Sequence, residues 1–203
     1  YEYGTLTVTK DTTPITITSG DCDKVYDASA LVCDDYAVTY GDSTITECAA
    51  CSSDTTVHVF VIPTGDTITV RPTDSLTNVD TIPNTFEYEI TNEDNYPNVT
   101  TDTGAVSVTP LSITIIASSA EKSYDGTPLT RDEWTLDPTT PLADGDIIDT
   151  AYVTGTITDP GTDTNKVHDA VIKRGADNVT DNYEITYEYG TLTVTKDTTP
   201  ITI

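Results

Sequence analysis

The sequence predicts an all-β protein built as two tandem β-sandwich domains, Ig-like in broad form. Three observations lead there. Thr is the commonest residue, 44 of 203, and it alternates with Val, Ile and Leu along the chain, the pattern of strands with one face in water. Clusters of Gly, Pro, Asp and Asn interrupt the alternation, as turns require. The segment Tyr1–Ile17, YEYGTLTVTKDTTPITI, recurs unchanged as Tyr187–Ile203, at an offset of 187 − 1 = 186 residues. Half that offset, about 93 residues, is a normal length for a small sandwich domain.

In Thr5–Thr9, Leu6 and Val8 point one way and the threonines the other, so a strand is predicted. Ile15 and Ile17 open the next strand in the same manner. Further strands are predicted at Ala37–Tyr40, Thr56–Ile62, Thr67–Val70, Phe86–Ile90, Ile113–Ala117, Ala151–Ile157, Ala170–Lys173 and Tyr183–Tyr189. No helical period is sustained; a short helical turn is predicted near Thr130–Leu136, where Asp132 and Glu133 suit a helix start.

The period divides into two related halves. Pro14-Ile-Thr-Ile opens the first and Pro110-Leu-Ser-Ile-Thr-Ile the second; Lys24-Val-Tyr26-Asp27 answers Lys122-Ser-Tyr124-Asp125. Asp94-Asn95-Tyr96 answers Asp181-Asn182-Tyr183, and each half closes on a Gly and an alternating strand, Gly104–Thr109 and Gly190–Thr195. The expected organisation is therefore residues 1–13 as the closing strand and joint of a preceding repeat, 14–109 as a first domain, 110–199 as a second, and 200–203 as the start of the next repeat. The joints are short and carry Pro, which stiffens them. A rod of alternating beads is expected, cut from a longer array, and the lack of an initiator Met reads as a fragment or processed product.

The net charge is −25, from 34 acidic and 9 basic residues, which repels nucleic acid and anionic membranes as partners. No apolar run approaches the roughly 20 residues of a membrane helix. The four cysteines, Cys22, Cys33, Cys48 and Cys51, all fall in the first half. An even count suggests two disulfides and an oxidising compartment, with the pairing open. Zinc is the rival reading, but the spacing holds only one Cys-x2-Cys knuckle.

The string Lys122-Ser-Tyr-Asp-Gly-Thr-Pro-Leu129 resembles the start of MBG/YDG-type repeats, as do Leu142-Ala-Asp-Gly-Asp146, Ala170–Lys173, Val179–Tyr183 and Gly190–Val194. The first half is similar to a distant member, with Ala28 in place of Gly126 and a cysteine-bearing insertion. The resemblance implies tandem, β-rich repeats of large bacterial surface proteins and adhesins. A β-grasp-like α+β repeat is the alternative fold, since other surface repeats use it. The family's tie to mucin is one of name, and no mucin-binding residue is carried over.

Each polar or aromatic signal has two readings. Tyr26 and Tyr124 can be glycan-stacking platforms or half-buried core tyrosines with satisfied hydroxyls; the core reading is preferred, and likewise for Tyr96, Tyr183 and the single Trp134. Lys24 with Asn95, and Lys122 with Asn182, offer the residue types of an isopeptide cross-link, against which stands an ordinary exposed ion pair. Asn98-Val-Thr100 and Asn178-Val-Thr180 are N-glycosylation sequons, and the Thr-rich faces could carry O-linked sugar. Asp144 with Asp146, Asp21 with Asp23, and the run Asn92–Asn95 could ligate calcium, although acidic turns are ordinarily solvated. No other cofactor is suggested. His58 and His168, the latter beside Asp169, stand in unlike contexts, and no nucleophile elbow or phosphate loop is present, so no enzyme is expected.

The functional expectation is a structural spacer in a long extracellular fibre or stalk, with neighbouring copies as partners. The alternatives are a repeat that binds glycan or mucin directly, and a self-assembling filament in which Tyr1–Thr9 is donated as a strand to another subunit.

Overall fold

Alternation is realised where the chain finds a partner. In β1 (Ile15–Ser19), Ile15 and Ile17 are fully buried while Thr16 and Thr18 are half exposed. The computed structural model describes residues 3–200. Among these, regular structure consists of eighteen strands and two three-residue 3-10 turns, with no α-helix. The protein is all-β with several sheets. It divides into two compact units, the first holding the chain up to Lys24 and Ala30–Val108, the second holding Val25–Ser29 and the chain from Thr109 onward.

In the first unit β1 is followed by β2 (Cys22–Val25), β3 (Tyr36–Tyr40), β4 (Ser43–Ile45), β5 (His58–Val61), β6 (Thr67–Pro72), β7 (Asp80–Pro83), β8 (Phe86–Ile90), β9 (Val99–Asp102) and β10 (Ala105–Thr109). They form sheets ordered β4-β3-β1-β9, β2-β10-β7 and β5-β6-β8. The opening strand pairs antiparallel with β3 and parallel with β9, in register Ile15 to Val99. The core gathers Ile15, Ile17, Val38, Phe60, Ile68 and Val70, among others; each such side chain contributes about 1.5–3 kcal/mol on burial.

The second unit contains β11 (Leu111–Ala117), β12 (Ala120–Ser123), β13 (Trp134–Leu136), β14 (Ile147–Thr154), β15 (Gly161–Arg174), β16 (Asp177–Asn178), β17 (Tyr183–Glu188) and β18 (Gly190–Thr195). The sheets run β13-β11-β17 and β12-β18-β15-β14, with β16 on β15. β11 pairs parallel with β17, Ile113 to Ile185, as β1 does with β9. β18 pairs antiparallel with β15, as β10 does with β7. The long strand β15 corresponds to β7 and β8 together, which Asn84 and Thr85 separate.

One polar device recurs in both cores. Asn84 is 3% exposed and donates Nδ2 to the Gly20 carbonyl at 3.0 Å; Asn165 is 0% exposed and donates to the Ser118 and Arg131 carbonyls at 2.8 and 2.7 Å. A buried amide so bonded fixes one register, because losing its partners leaves it desolvated and unpaired. The neighbouring Gly104 and Gly190 allow the close approach: a Cβ there would lie 2.3 Å from Gly20 O and 2.4 Å from Ser118 O.

Several expectations are corrected. No strand forms in the described part of Tyr1–Thr9, although the identical Gly190–Thr195 is β18. Tyr1, Glu2 and Ile201–Ile203, and so all but Pro200 of the predicted opening of a next repeat, lie outside the described residues. The helical turn near Thr130–Leu136 is instead an extended segment ending in β13, because Ile115, Ile116 and Ala117 of β11 offer it a sheet edge. Phe86–Ile90 is β8 as predicted. The strand predicted over Ala151–Ile157 begins earlier, at Ile147, because β15 continues beside it with register shifts. The helix that the alternative β-grasp-like repeat would need has no counterpart among the described residues.

Candidate functional site

The most connected side chains outside the apolar cores surround Asp146 in the second unit. Gly145, at φ 82°, turns the chain into β14 and aims this carboxylate inward. Its side chain is fully buried, with Arg174 Nε 2.8 Å from Oδ1 in an ion pair without hydrogen-bond alignment. Tyr183 donates its hydroxyl to Oδ2 at 2.6 Å and Tyr26 donates to the same oxygen at 3.1 Å. The two rings meet edge-to-face, centroids 5.5 Å apart at 77°, and the Arg174 guanidinium lies 5.8 Å from the Tyr26 centroid. Arg174 also donates to the Ala28 and Asp144 carbonyls at 3.1 and 3.2 Å.

Burial, and then the adjoining Asp146 charge, push the Tyr26 hydroxyl above its ordinary range. Tyr183 is raised further, by burial first and by its bond to Asp146 second. Both hydroxyls therefore remain protonated donors at neutral pH. The arrangement holds a buried charge with one cation and two neutral donors, which is what burial of a carboxylate demands. Its chemistry is that of a clamp: the donors all belong to the chain itself.

The first unit has a smaller version. Gly65, at φ 93°, leads into β6, and Asp66 accepts a bond from the Tyr96 hydroxyl at Oδ2 and one from Asn92 Nδ2 at 2.8 Å on Oδ1. Asp66 is only half-buried, where Asp146 is buried. Neither Asp66 nor Arg174 stood out in the sequence. The signal that could have found the aspartates is the Gly-Asp pair ahead of a strand in each half, followed by the Asp-Asn-Tyr triplet.

The other singled-out residues are scattered. Tyr26 is 1% exposed, in keeping with the core reading, but Tyr124 is 39% exposed and is no core residue; Tyr26 has the Asp146 carboxylate and the Tyr183 ring around it. Trp134 is half-buried on β13, short of the core anchor expected of it. Cys22 pairs with Cys33 and Cys48 with Cys51, Cα separations 5.7 and 5.4 Å. Lys122 Nζ is held by Asp125 Oδ1 at 2.7 Å and by Thr127 O and Oγ1 at 2.6 and 2.7 Å. Lys24 is half-buried, Asn95 exposed and Asn182 4% exposed.

Asn98 and Asn178 are both exposed; Asn98 Nδ2 donates to Thr12 O at 2.8 Å, and Asn178 Oδ1 accepts the Thr180 N–H at 3.0 Å. Asp144 is exposed, and Asp146 is engaged as described. His58 Nδ1 lies 3.0 Å from Glu47, and His168 Nδ1 lies 2.9 Å from Asp169. An open hollow of about 260 Å³ on the first unit is lined by Thr69, Arg71, Phe86, Glu87, Tyr88 and Glu89. Among the described residues no group of three or more His, Cys, Asp or Glu is placed to hold a metal ion, and no helix is long and apolar enough to cross a membrane. No family model, no curated protein and no solved structure matches this chain.

Proposed function

We propose that the chain is a structural segment of a long extracellular fibre or surface stalk, made of tandem Ig-like sandwich domains that hold a distal binding region away from its anchor. The observation that carries this reading is the unchanged 17-residue recurrence at 186 residues, with a second, diverged repeat inside the period. The site around Asp146 supports it, being a clamp closed on the chain's own groups. Two disulfides in the first unit suit an oxidising exterior. The MBG/YDG resemblance of the second half points the same way. The intact mass of the native protein tests the proposal: a mass of several periods supports it, and a mass of one period overturns it.

A second reading has its own observation. Leu6 is 100% exposed and Val8 98%, although the same sequence is buried in β18. Such an apolar strand could be donated to another subunit, giving a self-assembling filament. Assembly that depends on concentration, and disappears when residues 1–9 are deleted, would favour it over the covalent array. Direct glycan or mucin binding is the remaining alternative, checked by a glycan array; the hollow beside Arg71 is where substitution would then abolish binding.

A further inference from the structure

Tyr26 and Tyr124 occupy the same place in the two repeats yet differ in burial, 1% against 39% exposed. Their surroundings in the chain are alike. Each backbone N–H donates at 2.8 Å to the last residue of a closing strand, Tyr26 to Thr109 O and Tyr124 to Thr195 O. Each is followed by an Asp whose Oδ1 accepts an N–H two residues on, Asp27 from Ser29 and Asp125 from Thr127, both at 2.9 Å. Ala28 and Gly126 adopt the same left-handed conformation, φ 72° and 76°. What differs is the company: Val25–Ser29 is housed in the second unit, against Asp146, Tyr183 and Arg174.

The receiving residues show the complementary difference. Asp146 and Asn182 are buried in the second unit, whereas their first-unit equivalents, Asp66 and Asn95, are half-buried and exposed. Among the described residues, then, Asp66 is met by Tyr96 and Asn92 but by no tyrosine turn, and the Tyr124 turn meets no buried carboxylate.

Chain connectivity brings the two together in a tandem array. Because residues 187–203 repeat residues 1–17, Asp197 stands where Asp11 stands in the following copy. The Asp11 N–H donates to Asn95 O at 2.9 Å. Thr195, which accepts the Tyr124 N–H, is two residues before Asp197, a span of at most about 7 Å. The Tyr124 turn is thereby delivered beside Asn95 and Tyr96 of the next copy.

We propose that the Tyr124 turn docks onto the Asp66–Tyr96 end of the first unit of the following copy, its hydroxyl donating to Asp66 as Tyr26 donates to Asp146. The partner is a second copy of this repeat, and the proposal rests on the tandem-array reading. Asn92 takes the place of Arg174 in this contact, so it is held without a cation.

The test uses the 203-residue chain and the same chain extended by one more 186-residue period through the shared segment. Thr130→Ser in the trailing copy distinguishes the tryptic peptides by mass. Both proteins are treated with tetranitromethane and tyrosine nitration is read by mass spectrometry. The expected result is protection of Tyr26 in both proteins and modification of Tyr124 in the single-period chain. In the extended chain the leading Tyr124 reacts at least about tenfold more slowly than the trailing one. Asp66→Ala in the trailing copy removes that protection while leaving Tyr26 protected. Equal reactivity of the two Tyr124 residues in the extended chain overturns the proposal, and so does reactivity of Tyr26 equal to that of Tyr124. The extended chain tests docking whether or not the natural protein is an array, which the intact mass decides separately.

Discussion

Gly4–Thr9 and Gly190–Thr195 have the same sequence, Gly-Thr-Leu-Thr-Val-Thr, and different structures. The second is β18, placed between β12 and β15, with Leu192 0% and Val194 2% exposed. The first carries no strand, and its Leu6 and Val8 are almost wholly exposed. Local propensity is identical in the two, so it cannot be what makes the strand. The partner edges and the apolar face beneath them decide, in line with the strong dependence of β propensity on context. A single hairpin or strand is marginal in water without such neighbours.

The sharpest way to break this comparison is to truncate the same residue twice. Leu192→Ala is expected to lower stability by about 4 kcal/mol in urea unfolding, the range for a buried Leu that leaves a cavity. Leu6→Ala is expected to stay within about 0.5 kcal/mol. Equal effects would show that the leading segment is packed in solution too.

The next largest effect concerns the two aspartate sites. Asp146→Ala strands a half-buried guanidinium and two buried tyrosine hydroxyls and is expected to cost the second unit about 3 kcal/mol. Asp66→Ala, which removes a half-buried acceptor of neutral donors, is expected to cost about 1–2 kcal/mol. Thermal unfolding of each variant checks the order.

Reduction separates the units differently. Opening Cys22–Cys33, with its sequence separation of 11, is expected to cost the first unit about 3 kcal/mol, and Cys48–Cys51 less because its loop is shorter. Hydrogen exchange after reduction should quicken in β1, β2 and β3 and leave β11–β18 unchanged.

The smallest effect is alkaline. Tyr36 is pushed up to about 12, by burial first and by the Asp34 charge second, and Tyr26 and Tyr183 are also raised. A phenol whose folded pKa exceeds its unfolded value gives stability that is complete below about pH 10 and lost as pH rises through the folded pKa. Absorbance titration should therefore show a late phenolate fraction to which these three residues contribute together with Tyr40 and Tyr96, which are raised as well. Replacing Tyr36 by Phe should remove the step near 12.

The sequence was most informative where one face of a strand is apolar. β1, β6, β8 and β18 follow directly from alternation at Ile15 and Ile17, Ile68 and Val70, Phe86–Ile90, and Leu192 and Val194. It was uninformative about partners. Nothing near Trp134 announces that β11 will draw it into a strand, and acidic residues before it argued for a helix start. The role of Asp146 was hidden for the same reason: read beside Asp144 it suggests calcium, but its donors lie 37 and 120 residues away in the chain. Tyr26 and Tyr124 could be placed on equivalent turns from sequence, but which of them is buried depends on the neighbour each one meets.

The parallel pairing of β12 with β18 has a mechanical consequence. β12 lies near the start of its unit and β18 is its last strand, and they run alongside with Ala120 opposite Leu192 and Ser123 opposite Thr195. A stretching force on the two ends of the unit pulls these strands lengthwise in opposite directions. The bonds between them are then loaded together in shear, and none can be opened singly from the edge. β11 and β17 add a second parallel ladder of six residue pairs. Rupture of the second unit under tension therefore requires many bonds to fail at once, and this unit is expected to yield abruptly at high load instead of unzipping at low load.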